Sequence, residues 1–524
     1  MSGDKAAHAA LSPVKPARMT RRTLLSAGLV GLTVKAERRL AGSFVNEAFI
    51  LGHHIRDGVS FARPQRQERV PVAIVGGGMA GLNAGWWLER NGFHDFVLVE
   101  MERQAGGNAR WGENEITGYP WAAHYVPVPD AKVELVRELF RELGVLGEDG
   151  KWNERYLCFE PQERLFLHGR WQEDIEPHIG LTRRDIGQFR AFEQRMAEFR
   201  ASGEFTIPIA RGEKRTDLDR MAMSEWLARN GFDSPYLRWY LDYACRDDYG
   251  ALARDTSAWA GAHYFASRAA VEKGPLTWPE GNGWIARRLI ARLAPRMQTG
   301  QAVFRIARDG TKYRVMTVAA DGSAGVEYLT DFVIFAAPTF LAHYMIEGAP
   351  PAEGFVYSPW FTANLTLDRL PREVEGAEPA WDNVVYDSRS LGYVDARHMS
   401  VATHIERTVW TWYYSMAEFA PAQARQWLLA QDWNVFKGLI LDDLERVHPD
   451  IRECVSRIDV MRMGHAMIRP TVGFQFGEER QRWLKPMGRI HFANSDLSGI
   501  SIFEEAQYRG VEAARAVLRG LGRG

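Results

Sequence analysis

Four apolar residues, Val72–Val75, run directly into Gly76-Gly77-Gly78-Met79-Ala80-Gly81, and a small-residue, apolar stretch follows to Leu88. No other feature of the chain restricts its fold as strongly. Gly76 permits the tight turn out of a buried strand, and Gly78 lets the backbone approach a pyrophosphate at a helix N-terminus. Gly81 lets that helix pack on the strand. A second strand, Phe96–Val99, leads to Glu100, 19 residues beyond Gly81, where an acid hydrogen-bonds ribose hydroxyls. A lone glycine triplet is a weak signal, but strand, triplet, helix, strand and acid in order are a strong one. They predict a Rossmann-like α/β unit binding a dinucleotide through Gly76, Gly78, Met79, Ala80, Gly81 and Glu100.

Just past the acid comes Glu102-Arg103-Gln104-Ala105-Gly106-Gly107-Asn108-Ala109-Arg110. Two adjacent glycines let a second turn approach the cofactor phosphates, with Arg103 or Arg110 free to offset charge. At this point the sequence resembles the flavin-containing amine oxidase and phytoene desaturase superfamily, in which a Gly-Gly segment follows the ribose acid. The resemblance implies FAD as cofactor, with Arg103, Gly106, Gly107 and Asn108 beside it. It recurs at two later stations. Leu276 to Gly283 leads into a helix, Trp284 to Leu293, then Gln301 to Ile306, then a strand ending in Phe335-Ala336-Ala337-Pro338. In the family the residue matching Val303 meets the adenine and the turn at Ala337 lies near the cofactor. Near the C-terminus, Gly488 to Asp496 reads as a strand leading to an acid, and Ser498 to Ala506 opens a helix running to Leu518. The resemblance puts Asp496 on the ribityl or pyrophosphate, and Ser501 and Ile502 by the flavin ring, where the helix dipole stabilises negative charge.

The expected fold class is therefore α/β. Its Rossmann-like FAD-binding domain is assembled from three segments, 70–125, 276–345 and 486–524. The insertions form a mixed sheet-and-helix substrate domain. Residues 126–275 show apolar residues at helical spacing, in Val133 to Leu143, Gln188 to Phe199 and Ser224 to Leu227. In 346–485, the stretches Tyr357 to Leu367 and Thr408 to Ser415 alternate as strands do and suggest the floor of a cavity.

The substrate is less legible. In the family the stretch Tyr119 to Tyr125 passes near the flavin. Tyr125, His465 and Phe503 are the candidates for groups near the chemistry. Arg246-Asp247-Asp248-Tyr249 reads either as an ion-paired helix end or as the wall of a pocket for an ammonium group. Two departures weigh on the amine oxidase reading. The strand that carries a flavin-facing lysine in many amine oxidases reads Thr362-Ala363-Asn364-Leu365 here. The position of an aromatic residue of their amine cage is Ile502. The expected reaction is oxidation of a small-molecule amine by hydride transfer to flavin N5. A desaturase or isomerase acting on a hydrophobic substrate, and a non-catalytic FAD-binding protein, are the alternatives.

Sixty-five basic against 66 acidic residues give a net charge of −1 and no case for a nucleic-acid partner. The three cysteines are too few and too scattered for a disulfide framework, and no metal-ligand cluster is present. Residues 1–43 carry eight Lys/Arg against two Asp/Glu, leaving the remainder at −7. Arg21-Arg22 precedes an apolar stretch too short to span a membrane, the pattern of a twin-arginine signal. Export to the periplasm by that machinery is the expectation, with cleavage after Ala36 or Ser43. Residues 44–69 are expected to be a linker.

Overall fold

The computed structural model describes residues 40–45, 48–212, 214–268 and 274–523. Among them, the apolar runs Phe96–Val99, Val72–Val75 and Phe332–Phe335 are buried along their whole length. That pattern suits parallel strands covered on both faces. They are the centre of a parallel five-stranded sheet in the order Met297–Gln298, Phe96–Val99, Val72–Val75, Phe332–Phe335, Ile490–Phe492. Its strands come from all three predicted segments. The helices Met79–Arg90, Gly283–Leu293 and Phe503–Gly520 share one apolar core with these strands. The first and last cross so closely that a Cβ on Gly510 would stand 2.1 Å from the Ala80 carbonyl oxygen. A four-stranded sheet, Gln301–Asp309, Lys312–Ala319, Ala324–Thr330 and Arg66–Arg69, contributes to a second core on these strands.

The insertions build an eight-stranded sheet of mixed direction. Its order is Ala41–Phe44, Val455–Ile468, Tyr357–Leu367, Thr408–Tyr414, Gly392–Asp395, Asp382–Val385, Glu163–Leu167, Arg170–Glu173. Helices Arg183–Ser202, Pro235–Tyr249 and Ala258–Ala266 form a separate aromatic-rich core. The first begins with a capping box in which the Thr182 and Asp185 side chains each accept the other's backbone N–H. Residues Leu40–Gly524 form one compact unit that holds both the five-stranded and the eight-stranded sheet.

Two sequence expectations are corrected. Residues 126–275 are not helical throughout, because Glu163–Leu167 and Arg170–Glu173 extend the eight-stranded sheet. Residues 44–69 are not a linker. Strand Ala41–Phe44 begins inside the segment expected as a signal and pairs in parallel with Val455–Ile468. Helix Phe49–Arg56 follows, and Arg66–Arg69 completes the four-stranded sheet. The expected signal before residue 40 lies outside the described residues. Among the described residues, no helix is long and apolar enough to cross a membrane.

Candidate active site

The glycine turn is shaped by its lack of side chains. Gly76 has φ +105°, and a Cβ there would meet the Ala337 nitrogen at 2.9 Å. A Cβ on Gly81 would stand 1.9 Å from the Gly76 carbonyl oxygen, so that glycine sets the helix against the turn. Gly78 is different. A Cβ there would touch only Gly107 at 3.9 Å, because Gly78 faces a cavity of about 820 Å³. The helix starting at Met79 has no side-chain cap, so its first N–H groups remain available to an anion. Gly106 N–H donates to the Gly77 carbonyl at 2.8 Å and holds the second glycine turn against the first.

The cavity runs from Glu100 and Val303, past Gly78, Met79, Ala80 and Gly107, to Ala337, Asp496, Ser501 and Ile502. The Glu100 carboxylate accepts from Gly77 N–H at 2.6 Å and Glu102 N–H at 2.8 Å. Burial pushes its carboxyl up, and those two bonds oppose the shift. Asp496 accepts from the Tyr357 hydroxyl at 2.6 Å and Thr339 N–H at 2.9 Å. Burial raises it as well. A slot with a bare helix N-terminus, two glycine turns and an enclosed acid at its end fits a dinucleotide. Gly81 and Gly106 support the two turns. Arg103 is a correction: it is exposed and lines neither this cavity nor the next. Arg110 leans toward Glu102 at 3.8 Å.

A smaller pocket, about 150 Å³, shares Asn108, Asn282, Ala466, Ser501 and Ile502 with this larger cavity. Thr362 Oγ1 donates to the Trp121 carbonyl at 2.7 Å and Asn364 Nδ2 to the Pro120 carbonyl at 3.1 Å. The strand on which the resemblance would put a lysine therefore positions the segment leading to His124 and Tyr125. Both rings line the pocket with Trp360, Tyr243 and Tyr413, and His124 and Tyr413 approach to 4.9 Å. His124 Nδ1 lies 3.1 Å from the Ala122 carbonyl and must donate to it, which leaves Nε2 an acceptor. Burial lowers this histidine to about 4, so it is neutral.

The pocket is acidic. Asp247, Asp248, Asp382 and Glu504 line it, and Arg268 is its one Lys or Arg among the described residues. Arg268 pairs with Asp248 at 3.0 Å. Burial pushes Glu504 up to about 7. Asp247 is raised by burial and then by Asp248, and Asp382 by burial and then by Glu163 and Asp247. The sequence offered Asp247 and Asp248 as one of two readings. It gave no sign of Asp382 or Glu504, which arrive from a distant strand and from the C-terminal helix. Of the remaining candidates, Phe503 lines both spaces, whereas His465 lines only the cofactor cavity, its ring 4.3 Å from Phe340.

A family profile described as an NAD(P)-binding Rossmann-like domain matches residues 74–143. Putrescine oxidase, in its putrescine-bound wild-type structure, superposes with a TM-score of 0.64 at 15% identity, covering 86% of this chain and 100% of that one. The fold is that of the flavin amine oxidases. Cyclohexylamine oxidase from Brevibacterium oxydans is similar too, with a TM-score of 0.63, 15% identity, and 87% and 100% coverage. Sequence similarity reaches an L-amino-acid oxidase of Bothrops pauloensis, 37% identical over 91 residues. That stretch is 17% of this chain and 17% of the relative, so the chain matches only about a sixth of the relative's length.

Proposed function

We propose that this protein is an FAD-dependent oxidoreductase that oxidises a cationic amine. The observation that carries the reading is the excess of carboxylates, Asp247, Asp248, Asp382 and Glu504, over the single Arg268 in an enclosed pocket joined to the cofactor cavity. An ammonium group entering it meets negative charge in a low-dielectric space and recovers there what it loses in hydration. The fold shared with putrescine and cyclohexylamine oxidases agrees with this chemistry.

FAD supplies the two-electron acceptor for C–N oxidation. This chain's residues do the rest. The carboxylates orient the ammonium. Asp247 and Asp382, both with raised proton affinity, take its proton at a carboxylate oxygen and leave the neutral amine that oxidation requires. Tyr125, Trp360 and Tyr413 wall the pocket and exclude water. A desaturase substrate without charge would make no use of the surplus of acids over Arg268, which favours the amine reading.

The test is an anaerobic visible spectrum of the purified protein before and after a pool of mono- and polyamines. Bleaching of a flavin band near roughly 450 nm, lost in Asp382→Asn, is the expected result. An unchanged band with every amine would overturn amine oxidation and keep the flavin. The same reading includes export by the twin-arginine route. Replacing Arg21 and Arg22 with lysine should then retain the protein in the cytoplasm, as read by fractionation.

A further inference from the structure

The cofactor cavity holds two acids, the half-buried Glu100 and the buried Asp496, and a dinucleotide brings a diphosphate of two further negative charges. The arginines that the sequence offered as compensation do not line the cavity. Arg103 is exposed and Arg110 leans toward Glu102 at 3.8 Å, while Asn108 beside the second turn is uncharged. The basic side chains that do line it come from the substrate half and the N-terminal helix: His53, Arg56, Arg425, Arg462 and His465.

Three of these are accounted for elsewhere. Arg56 is exposed and bound to Asp57 at 2.7 Å. Arg462 lies 3.9 Å over the Phe44 ring and donates to the Leu428 carbonyl. His53 sits on the same outer helix as Arg56, partly exposed. Arg425, from helix Pro421–Ala430, has no carboxylate partner among the described residues. Its one hydrogen bond is long, 3.5 Å to the Tyr357 carbonyl. Its stem passes Gly464, where a Cβ would stand 3.5 Å from Arg425 Cδ. His465 follows on the strand. Asn108 Nδ2 ties the next carbonyl, Ala466, to the Gly107–Asn108 turn at 2.7 Å. The segment Gly464–Ala466 is thereby fastened to the turn that faces Gly78.

We propose that Arg425, with the neutral His465 beside it, receives the cofactor diphosphate, so that the substrate half, and not the Rossmann half, supplies its counter-charge. This rests on the FAD reading above. Burial, and then the nearby Arg425 charge, lower His465 to about 4, so this histidine is neutral and the charge on this wall is that of Arg425.

The experiment compares FAD with riboflavin, which has the ring and ribityl chain but no phosphate, by fluorescence titration of flavin-stripped protein. Arg425→Gln should weaken FAD by about 10-fold or more, the usual loss for a charge-assisted contact. Riboflavin affinity should change by less than about 2-fold, and Arg425→Lys should recover part of the FAD affinity. Equal loss of both flavins, or no loss of either, overturns the proposal. Riboflavin also shows that each variant still folds around its cavity. A wild-type protein that binds neither flavin removes the FAD reading and this inference with it. One that binds FAD with Arg425→Gln unaffected removes only this inference.

Discussion

At the scale of single residues, the site is governed by how much room and how much water each atom is given. Gly81 has no room. Gly81→Val would push a side chain into the Gly76 carbonyl, 1.9 Å from the first added carbon. Backbone cannot yield that far without moving the turn, so flavin content should fall to roughly a tenth or less, read as the 450-to-280 nm absorbance ratio. The pocket acids lack water. Glu504 titrates at about 7 instead of near 4.5, so the folded state binds its proton more tightly than the unfolded chain does. Stability from this group is therefore full below about pH 4.5 and is lost as pH rises to about 7, a change on the order of 3 kcal/mol. Denaturant titration of the ligand-free protein should show that slope, and Glu504→Gln should flatten it. The same sign governs substrate. A cationic amine binds the ionised pocket, so its KM should fall as pH rises from 6 to 8. Asp382→Asn should raise KM by roughly 10- to 100-fold, with a smaller effect on kcat.

At the scale of elements, the edge of the substrate sheet gives a sharper prediction. Strand Ala41–Phe44 is joined to Val455–Ile468 by backbone pairing and by Ser43, whose N–H and Oγ both donate to Asp459 at 3.1 Å. Gly42 lies so tightly on the sheet that a Cβ would meet the Ile458 carbonyl at 1.9 Å. A protein starting at Val45 should melt lower than one starting at Glu37, by roughly 3–6 °C, in a thermal scan at equal flavin loading. Cleavage after Ser43 would cut this strand in two, whereas cleavage after Ala36 spares it. This edge, and the Arg66–Arg69 edge of the four-stranded sheet, were hidden in the sequence because each strand is four residues long with no apolar alternation to mark it. The cofactor turns were legible for the opposite reason. They act through backbone, and only glycine at fixed spacing permits that backbone. The acidic pocket could not be read locally. Asp247 and Asp248 end a helix, Asp382 starts a strand and Glu504 opens another helix, and only the folded topology brings the four together. Arg103 misled because a charge next to a glycine turn in sequence does not say which way its side chain points.

At the scale of the whole molecule, cofactor and substrate spaces share walls, and neither half closes its own cavity. Flavin should consequently act as a structural ligand for both. Stripping it should lower Tm as a single transition, with stability regained in proportion to the logarithm of added FAD, about 4 kcal/mol at a thousandfold excess over Kd. Two separate transitions, only one of them flavin-sensitive, would show that the halves fold apart.

The pairing of the first described strand with one of the last also sets an order of events. Ser43 and Asp459 are 416 residues apart. At 5–20 residues per second, a ribosome needs roughly 20–80 s to make the second after the first. Through that interval the earliest strand has no neighbour, and the wall between the two cavities does not yet exist. A nascent chain therefore has no finished slot to fill until Val455–Ile468 has been made.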